Sequence, residues 1–295
     1  MNLGRMKKHG VDVEAEFSKT TPTNLSYFVK GIVGFNENRI ISKDDLPYAP
    51  EHVKESGKPL GAQLLGVVLT GGGYYTSVND IHINPSPIEL ELLCLGDYKY
   101  LDYTADGQIM EVDKYSIKGN AYPPITYSFQ SGFAYKGFNL NFMFQGNYGK
   151  YVEFNQIYAA EFNDNQMRIH AAQLDYWRPD NPDATHSALH VYTSDMWNII
   201  SFGGGGAARG YYIRIKDHYW RDASYVRLKD VYVGYNFSSG FMSQLLGESR
   251  LTAYVTANNL FTITALIEGD PESKSFSTGF FPQLTTVLFG LKIDF

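Results

Sequence analysis

The sequence predicts an all-β protein, an antiparallel transmembrane β-barrel wall to which this chain contributes about seven strands. Three observations carry that expectation. Segment after segment alternates apolar and polar residues with period two, as a strand with two unlike faces does. Aromatic residues reach 15%, with 23 Tyr and 19 Phe, and many fall near the ends of those segments, where interfacial girdle residues sit. Connections alternate between short and long, which membrane barrels show and compact soluble domains rarely do.

The first segment places Val11, Val13, Ala15 and Phe17 opposite Asp12, Glu14, Glu16 and Ser18. Tyr27, Val29, Val33 and Phe35 share a face in the second. Ile125, Tyr127, Phe129, Phe133 and Tyr135 oppose Thr126, Ser128, Gln130, Gly132 and Ala134 in the third, and Phe138, Leu140, Phe142 and Phe144 alternate with Asn139, Asn141, Met143 and Gln145 in the fourth. The fifth is less regular: Val231, Val233, Tyr235 and Phe237 form a face, but Arg227 and Lys229 share its parity. A β-bulge near Lys229 and emergence above a membrane both fit that break. Leu251, Ala253, Val255, Ala257, Phe261 and Ile263 define the sixth, and Val287, Phe289, Leu291, Ile293 and Phe295 the seventh, which runs to the last residue. Tyr27, Tyr127, Tyr135, Phe138, Phe144, Phe237, Phe261 and Phe295 are the expected strand-end aromatics.

Short links lie at Lys19–Asn24 and Lys136-Gly137, and a moderate one at Ser238–Ser249. Long excursions fill about 39–124, 148–217 and 265–283. Short turns on one side and long loops on the other match the periplasmic and extracellular ends of an outer-membrane barrel. A soluble β-sandwich also alternates, but it predicts short loops at both ends. Seven is an odd number, whereas single-chain bacterial barrels close with even counts. Seven strands alone would leave two open edges in lipid, at several kcal/mol per unpaired backbone group. The whole span 1–295 is therefore expected to be part of a larger barrel domain.

Composition excludes other classes. Mean hydropathy is −0.26, and no apolar run approaches the roughly 18 residues of a membrane helix. A net charge of −6 argues against nucleic acid as a partner. Cys94 is the only cysteine, so there is no intrachain disulfide. The opening stretch MNLGRMKKHGVDVEAEF has no apolar run of signal-peptide length, and an export signal is expected outside this chain.

Several stretches resemble the SusC/RagA-type TonB-dependent outer-membrane transporters. LGDYKYLDYTADGQI (Leu95 to Ile109) is similar to a GD-x-x-Y-x-D-x-x-x-DG-x-I stretch of that family, and DYWRPDNPDA (Asp175 to Ala184) to its W-x-P-x-NP-x-A loop. ASYVRLKDVYVGYNF (Ala223 to Phe237) resembles its SY-x-RLK strand, Asn259-Leu260-Phe261 its NLF, and GDPES (Gly269 to Ser273) its DPE loop. The chain closes on a similar G-x-x-x-x-F end. The matches run in order from Leu95 to Phe295; before Leu95 only the strand pattern supports the likeness. The resemblance implies a 22-stranded barrel in the cell outer membrane, of which this would be the C-terminal segment. It also implies an N-terminal plug, a TonB-contacting segment and a SusD-like lipoprotein that lids the mouth. Plug and TonB segment are not in this chain, so TonB would be reached only through other parts. Val287, Phe289, Leu291, Ile293 and Phe295 would form the signal read by the barrel-assembly machinery. The implied function is import of a nutrient, glycan or peptide; a truncated fragment with no activity and a soluble β-rich carbohydrate-binding module are the alternatives.

Candidate sites are sparse. Asp102, Thr104, Asp106 and Asp113, with Gly107, approximate the spacing of a calcium loop; the same residues also fit an Asx-stabilised turn. Otherwise no cofactor is expected. His186 and His190 lack a third metal ligand, and Gly203–Gly206 with Arg209 lack the strand–turn–helix frame of a phosphate cradle. No nucleophile–base–acid set is evident, so the chain is not read as an enzyme. Trp177, Trp197, Tyr211, Tyr212 and Trp220 are candidates for stacking on a sugar or packing on a partner, and equally for packing loop on loop.

Overall fold

The computed structural model describes residues 4–62, 73–85, 93–109, 111–113, 120–153, 174–189, 220–237, 250–266, 269–273 and 283–294. Seven strands form one antiparallel sheet: β1 (Arg5–Thr20), β2 (Ser26–Ser42), β3 (Ile125–Tyr135), β4 (Phe138–Tyr148), β7 (Tyr225–Phe237), β8 (Arg250–Thr264) and β9 (Thr286–Asp294). They lie side by side in chain order, an up-and-down meander. Two short strands, β5 (Tyr151–Glu153) and β6 (Trp220–Asp222), pair separately. They continue the β4–β7 hairpin beyond an interruption at Gly149, which takes a positive φ.

The turns at 21–25 and 136–137 lie at one end of the sheet, together with the end of β9. The long connections all leave from the other end. Lys136 and Gly137 both take positive φ, as a two-residue hairpin matching the strand twist requires. A side chain on Gly137 would also meet the Asn236 carbonyl at 2.6 Å.

Register settles which face is apolar. Val11, Val13 and Phe17 stand opposite Phe35, Val33 and Val29. Val33 and Phe35 stand opposite Tyr127 and Ile125, and Phe129 and Phe133 opposite Phe144 and Leu140. Leu140 and Phe142 meet Val233 and Val231, which meet Val255 and Ala257. Those in turn meet Phe289 and Val287 of β9. One apolar surface thus crosses all seven strands, largely exposed: Phe289 is 80% and Leu291 74% accessible. From Tyr27 to Phe35 its height is about 21 Å, taking about 3.4 Å per residue and a strand tilt of about 40°. That fits the apolar band of an outer-membrane barrel. Phe144 and Phe261, expected at strand ends, instead pack together inside the band at 6.2 Å, because β4 runs on to Tyr148 and β8 to Thr264.

The irregular fifth segment is explained by a bulge. Pairing with β8 shifts between Leu228 and Asp230, and pairing with β4 shifts at the same level. Against β4 the extra residue is Lys229, and on the β8 side Asn259, with a positive φ, and Leu260 lie across from it. Below it the odd-numbered residues of β7 face outward; above it Val226 and Leu228 do, and Arg227 turns inward opposite Gln145. The inner face is polar. Lys30 pairs with Glu14 at 2.6 Å and Glu16 at 3.7 Å, and Asn258 donates to Asp230.

Aromatic rings also lie on inner-face glycines. Tyr232 and Tyr254 stack at 5.8 Å. Tyr232 covers Gly234, and Tyr254 covers Gly290, where an added Cβ would sit 2.3 Å from Cζ of the ring. The sheet does not close: β1 and β9 are its two edges.

Replacing Gly290 by Ala is expected to lower the folded, heat-modifiable fraction of the protein seen on cold electrophoresis. In a Tyr254→Ala background the same change is expected to cost less than ~0.5 kcal/mol, since the clash is gone. Equal losses in both backgrounds would show that the ring does not rest on Gly290.

Candidate functional site

The long loops carry an ordered assembly above the apolar band. Its centre joins two stretches far apart in the chain. Asp97 closes a turn on Cys94, its N–H donating to the Cys94 carbonyl (3.2 Å) and its carboxylate accepting from the Cys94 N–H (2.8 Å). Within this turn Gly96 takes φ +91°, and its missing side chain is where Trp177 lies: a Cβ there would be 2.3 Å from the indole and 2.5 Å from Ala188. The Ala188 N–H donates to the Gly96 carbonyl at 3.0 Å, and the Trp177 N–H to the His186 carbonyl at 2.8 Å. Tyr74, Tyr98, Tyr100, Ile109 and Ala184 complete the cluster. The Tyr74 hydroxyl donates to the Ala184 carbonyl and the Tyr98 hydroxyl accepts from the Ser187 N–H.

Neighbouring turns are held by carboxylates. Asp175 accepts from Asn181, Thr185 Oγ1 and the Thr185 N–H at 2.9–3.1 Å, and these bonds hold its carboxyl below the usual range. Helix α1 (Val78–Ile83) is capped by Ser77, and its Asp80 pairs with Lys99 at 2.8 Å. Although burial works the other way, the bonds from Lys99 and Thr76 leave the Asp80 pKa lowered.

The Asp102–Asp113 stretch forms a turn whose carboxylates accept bonds from the chain itself. Asp102 receives the Gly107 N–H (2.7 Å), Asp106 the Gln108 N–H (2.8 Å), and Asp113 the Thr104 N–H and hydroxyl (both 3.0 Å). Ala105 and Gly107 take positive φ. Among the described residues no group of three or more His, Cys, Asp or Glu side chains is arranged to hold a metal ion.

A second assembly ties a loop to the barrel wall. Arg227, only 2% exposed, donates from Nη2 to Asp270 at 2.9 Å and from Nε to Thr262 at 2.7 Å. Its Nη1 lies 3.2 Å from Glu272, without the alignment of a hydrogen bond. Lys229 and the Tyr225 hydroxyl also reach Glu272, and Lys150 donates to the Pro271 and Ser273 carbonyls. The Asp270 carboxylate accepts from the Glu272 and Gln283 N–H groups. Burial pushes the Asp270 pKa up, but these donors and Arg227 outweigh it and leave the value lowered.

Of the expected contact residues, Trp177 is 7% exposed inside the loop cluster, which is the packing alternative. Trp220 is half-buried in β6. Trp197, Tyr211 and Tyr212 lie outside the described residues, as do Phe295, His190, Gly203–Gly206 and Arg209. Val287, Phe289, Leu291 and Ile293 line the outer face of β9. Sequence reasoning missed the pairings Gly96–Trp177 and Arg227–Asp270–Glu272. Their residues fall in the quoted motifs, but nothing in the sequence shows which motif meets which.

No protein-family profile matches this sequence. Over its full length it is 22% identical to TonB-dependent receptor P3 of Formosa agariphila and 22% identical to TonB-dependent receptor SusC of Bacteroides thetaiotaomicron, covering 29% and 27% of those proteins. The chain thus spans less than a third of the curated relatives it matches. Its fold matches a structure of the RagAB peptide transporter with a TM-score of 0.66, at 19% identity, over 99% of this chain and 30% of that one. A closed-closed state of the RagAB peptide importer matches with 0.63. The chain is therefore similar, along its whole length, to a part of SusC/RagA-type TonB-dependent transporters, and its open sheet has the fold of part of their barrel.

Arg227→Met is expected to free the 269–273 loop, leaving the Asp270 carboxylate without its buried cation, while Lys229 still holds Glu272, at a cost of about 3 kcal/mol. Faster hydrogen exchange at the Glu272 and Gln283 amides would report it; unchanged exchange would refute the pairing. Because the folded pKa of Asp270 is lowered, its stabilisation is present above the ordinary carboxyl value of about 3.9 and lost as pH falls through the lowered one. Protection at these two amides is expected to hold from neutrality to about pH 4 and to fall only below it.

Proposed function

We propose that this chain is the C-terminal barrel segment of an outer-membrane TonB-dependent importer of glycans or peptides. The observation that carries the reading is the unbroken apolar outer face across seven strands, with both sheet edges open. In lipid each unpaired backbone group costs several kcal/mol, so β1 and β9 are completed by further strands of one larger barrel domain. TonB coupling then resides in parts of the protein outside this span. Val287, Phe289, Leu291 and Ile293 of β9, followed by Phe295, serve as the assembly signal. The loop cluster around Trp177 and Tyr98 forms a firm rim at the mouth, on which a SusD-like lid lipoprotein rests.

The open edges favour one alternative for a product of this length alone, an unproductive fragment. A soluble carbohydrate-binding module is disfavoured by the exposure of Phe289 and Leu291.

Peptides from this chain are expected in the outer-membrane fraction, within a product roughly three times its 33.3 kDa, as the 29% coverage implies. A 33.3 kDa product absent from that fraction would sink the importer reading and leave the fragment. Uptake lost on deletion, and competed by either oligosaccharides or peptides, would then identify the cargo class.

A further inference from the structure

The strands β1 and β2 outrun the apolar band, and their outward faces change character at a defined level. Val11 and Phe35 form the last apolar row, continued by Ile125 and Tyr148 on the next strands. The next row is His9–Glu37, with ring nitrogen and carboxylate 3.2 Å apart. Above it Lys7 stands directly opposite Arg39, and Arg5 follows on the same face of β1. Like charges paired across strands are destabilising, yet both side chains are exposed. Among the described residues no carboxylate pairs with Arg5, Lys7 or Arg39. Three cations thus face one carboxylate, Glu37, which His9 already holds.

Height decides what could neutralise them. Lys7 lies four residues above Val11, about 10 Å along the membrane normal at a tilt of about 40°. The headgroup layer occupies roughly 5–7 Å beyond the hydrocarbon on each side, and Lys and Arg stems reach several ångströms back toward it. The long-loop end is the outer side of the membrane in the importer reading, on which this inference rests. We infer that Lys7 and Arg39, with Arg5 above them, form a binding strip for phosphate-bearing headgroups of the outer lipid leaflet. The band fixes the depth, and the paired cations supply the charge. Lys8, on the opposite face of β1 beside Asn38, points away from the lipid and takes no part.

The test uses the full-length protein purified in detergent, titrated with diphosphoryl lipid A and with its dephosphorylated form, with retained lipid read by native mass spectrometry. Phosphate-dependent binding is expected, weakened about 25-fold by Lys7→Gln with Arg39→Gln, at about fivefold per cation near an anionic surface. Lys8→Gln is expected to change it less than about twofold, and Lys7→Arg with Arg39→Lys to preserve it. Heat-modifiability checks that each variant is folded. Equal retention of the two lipids, or of wild type and the double Gln variant, would overturn the strip. So would binding of inorganic phosphate as tight as that of the lipid, or loss of lid-protein binding in place of lipid binding. If the protein is absent from outer membranes, the importer reading fails instead; if it is present without lipid selectivity, only the strip fails.

Discussion

The structure turns on one constraint: a backbone N–H or C=O group shielded from water needs a partner within the protein. Seven strands pair in an unbroken meander, and two long edges remain, one on β1 and one on β9. The outer face is apolar from edge to edge, and in the proposed lipid setting neither edge can be left unpaired. In that reading the sheet takes neighbours of its own kind, which the matched transporters, more than three times as long, have the length to supply.

The bulge at Lys229 connects wall to loops. An extra residue in β7 reverses its side-chain phase, so Val226 and Leu228 keep the outer face apolar while Arg227 is brought over the inner one. A regular strand would have placed the Arg227 guanidinium on the apolar outer face, at a cost of about 2–4 kcal/mol if that face lies in lipid near mid-depth. Instead it meets Asp270 and Glu272 and fastens the loop that leads into the last strand. An unbroken apolar face and an anchored loop both follow from this bulge.

The loop cluster works by a different principle. Gly96 combines a positive φ with a vacancy that Trp177 fills, so conformation and packing select the same residue. Carboxylates at Asp97, Asp102, Asp113 and Asp175 gather nearby N–H and hydroxyl donors, which lets irregular backbone stay folded without a ladder. Such a scaffold holds irregular loops steady while leaving their outward residues free to vary.

Period-two patterning by itself determined the seven strands, the apolar face and the division into a short-turn end and a long-loop end, because alternation and turn chemistry act over a few residues. It also located the disturbance at Lys229 without choosing its cause. Tertiary structure decided the rest. Register showed that the bulge turns Arg227 inward, and burial placed Trp177 within the loop cluster. Only the fold brought Asp270 to Arg227 across 43 residues of chain and set Lys7 against Arg39 above the band. The reason is physical: a strand's pattern is written in its own neighbours, whereas a buried ion pair or a filled vacancy depends on the path of the chain between its members.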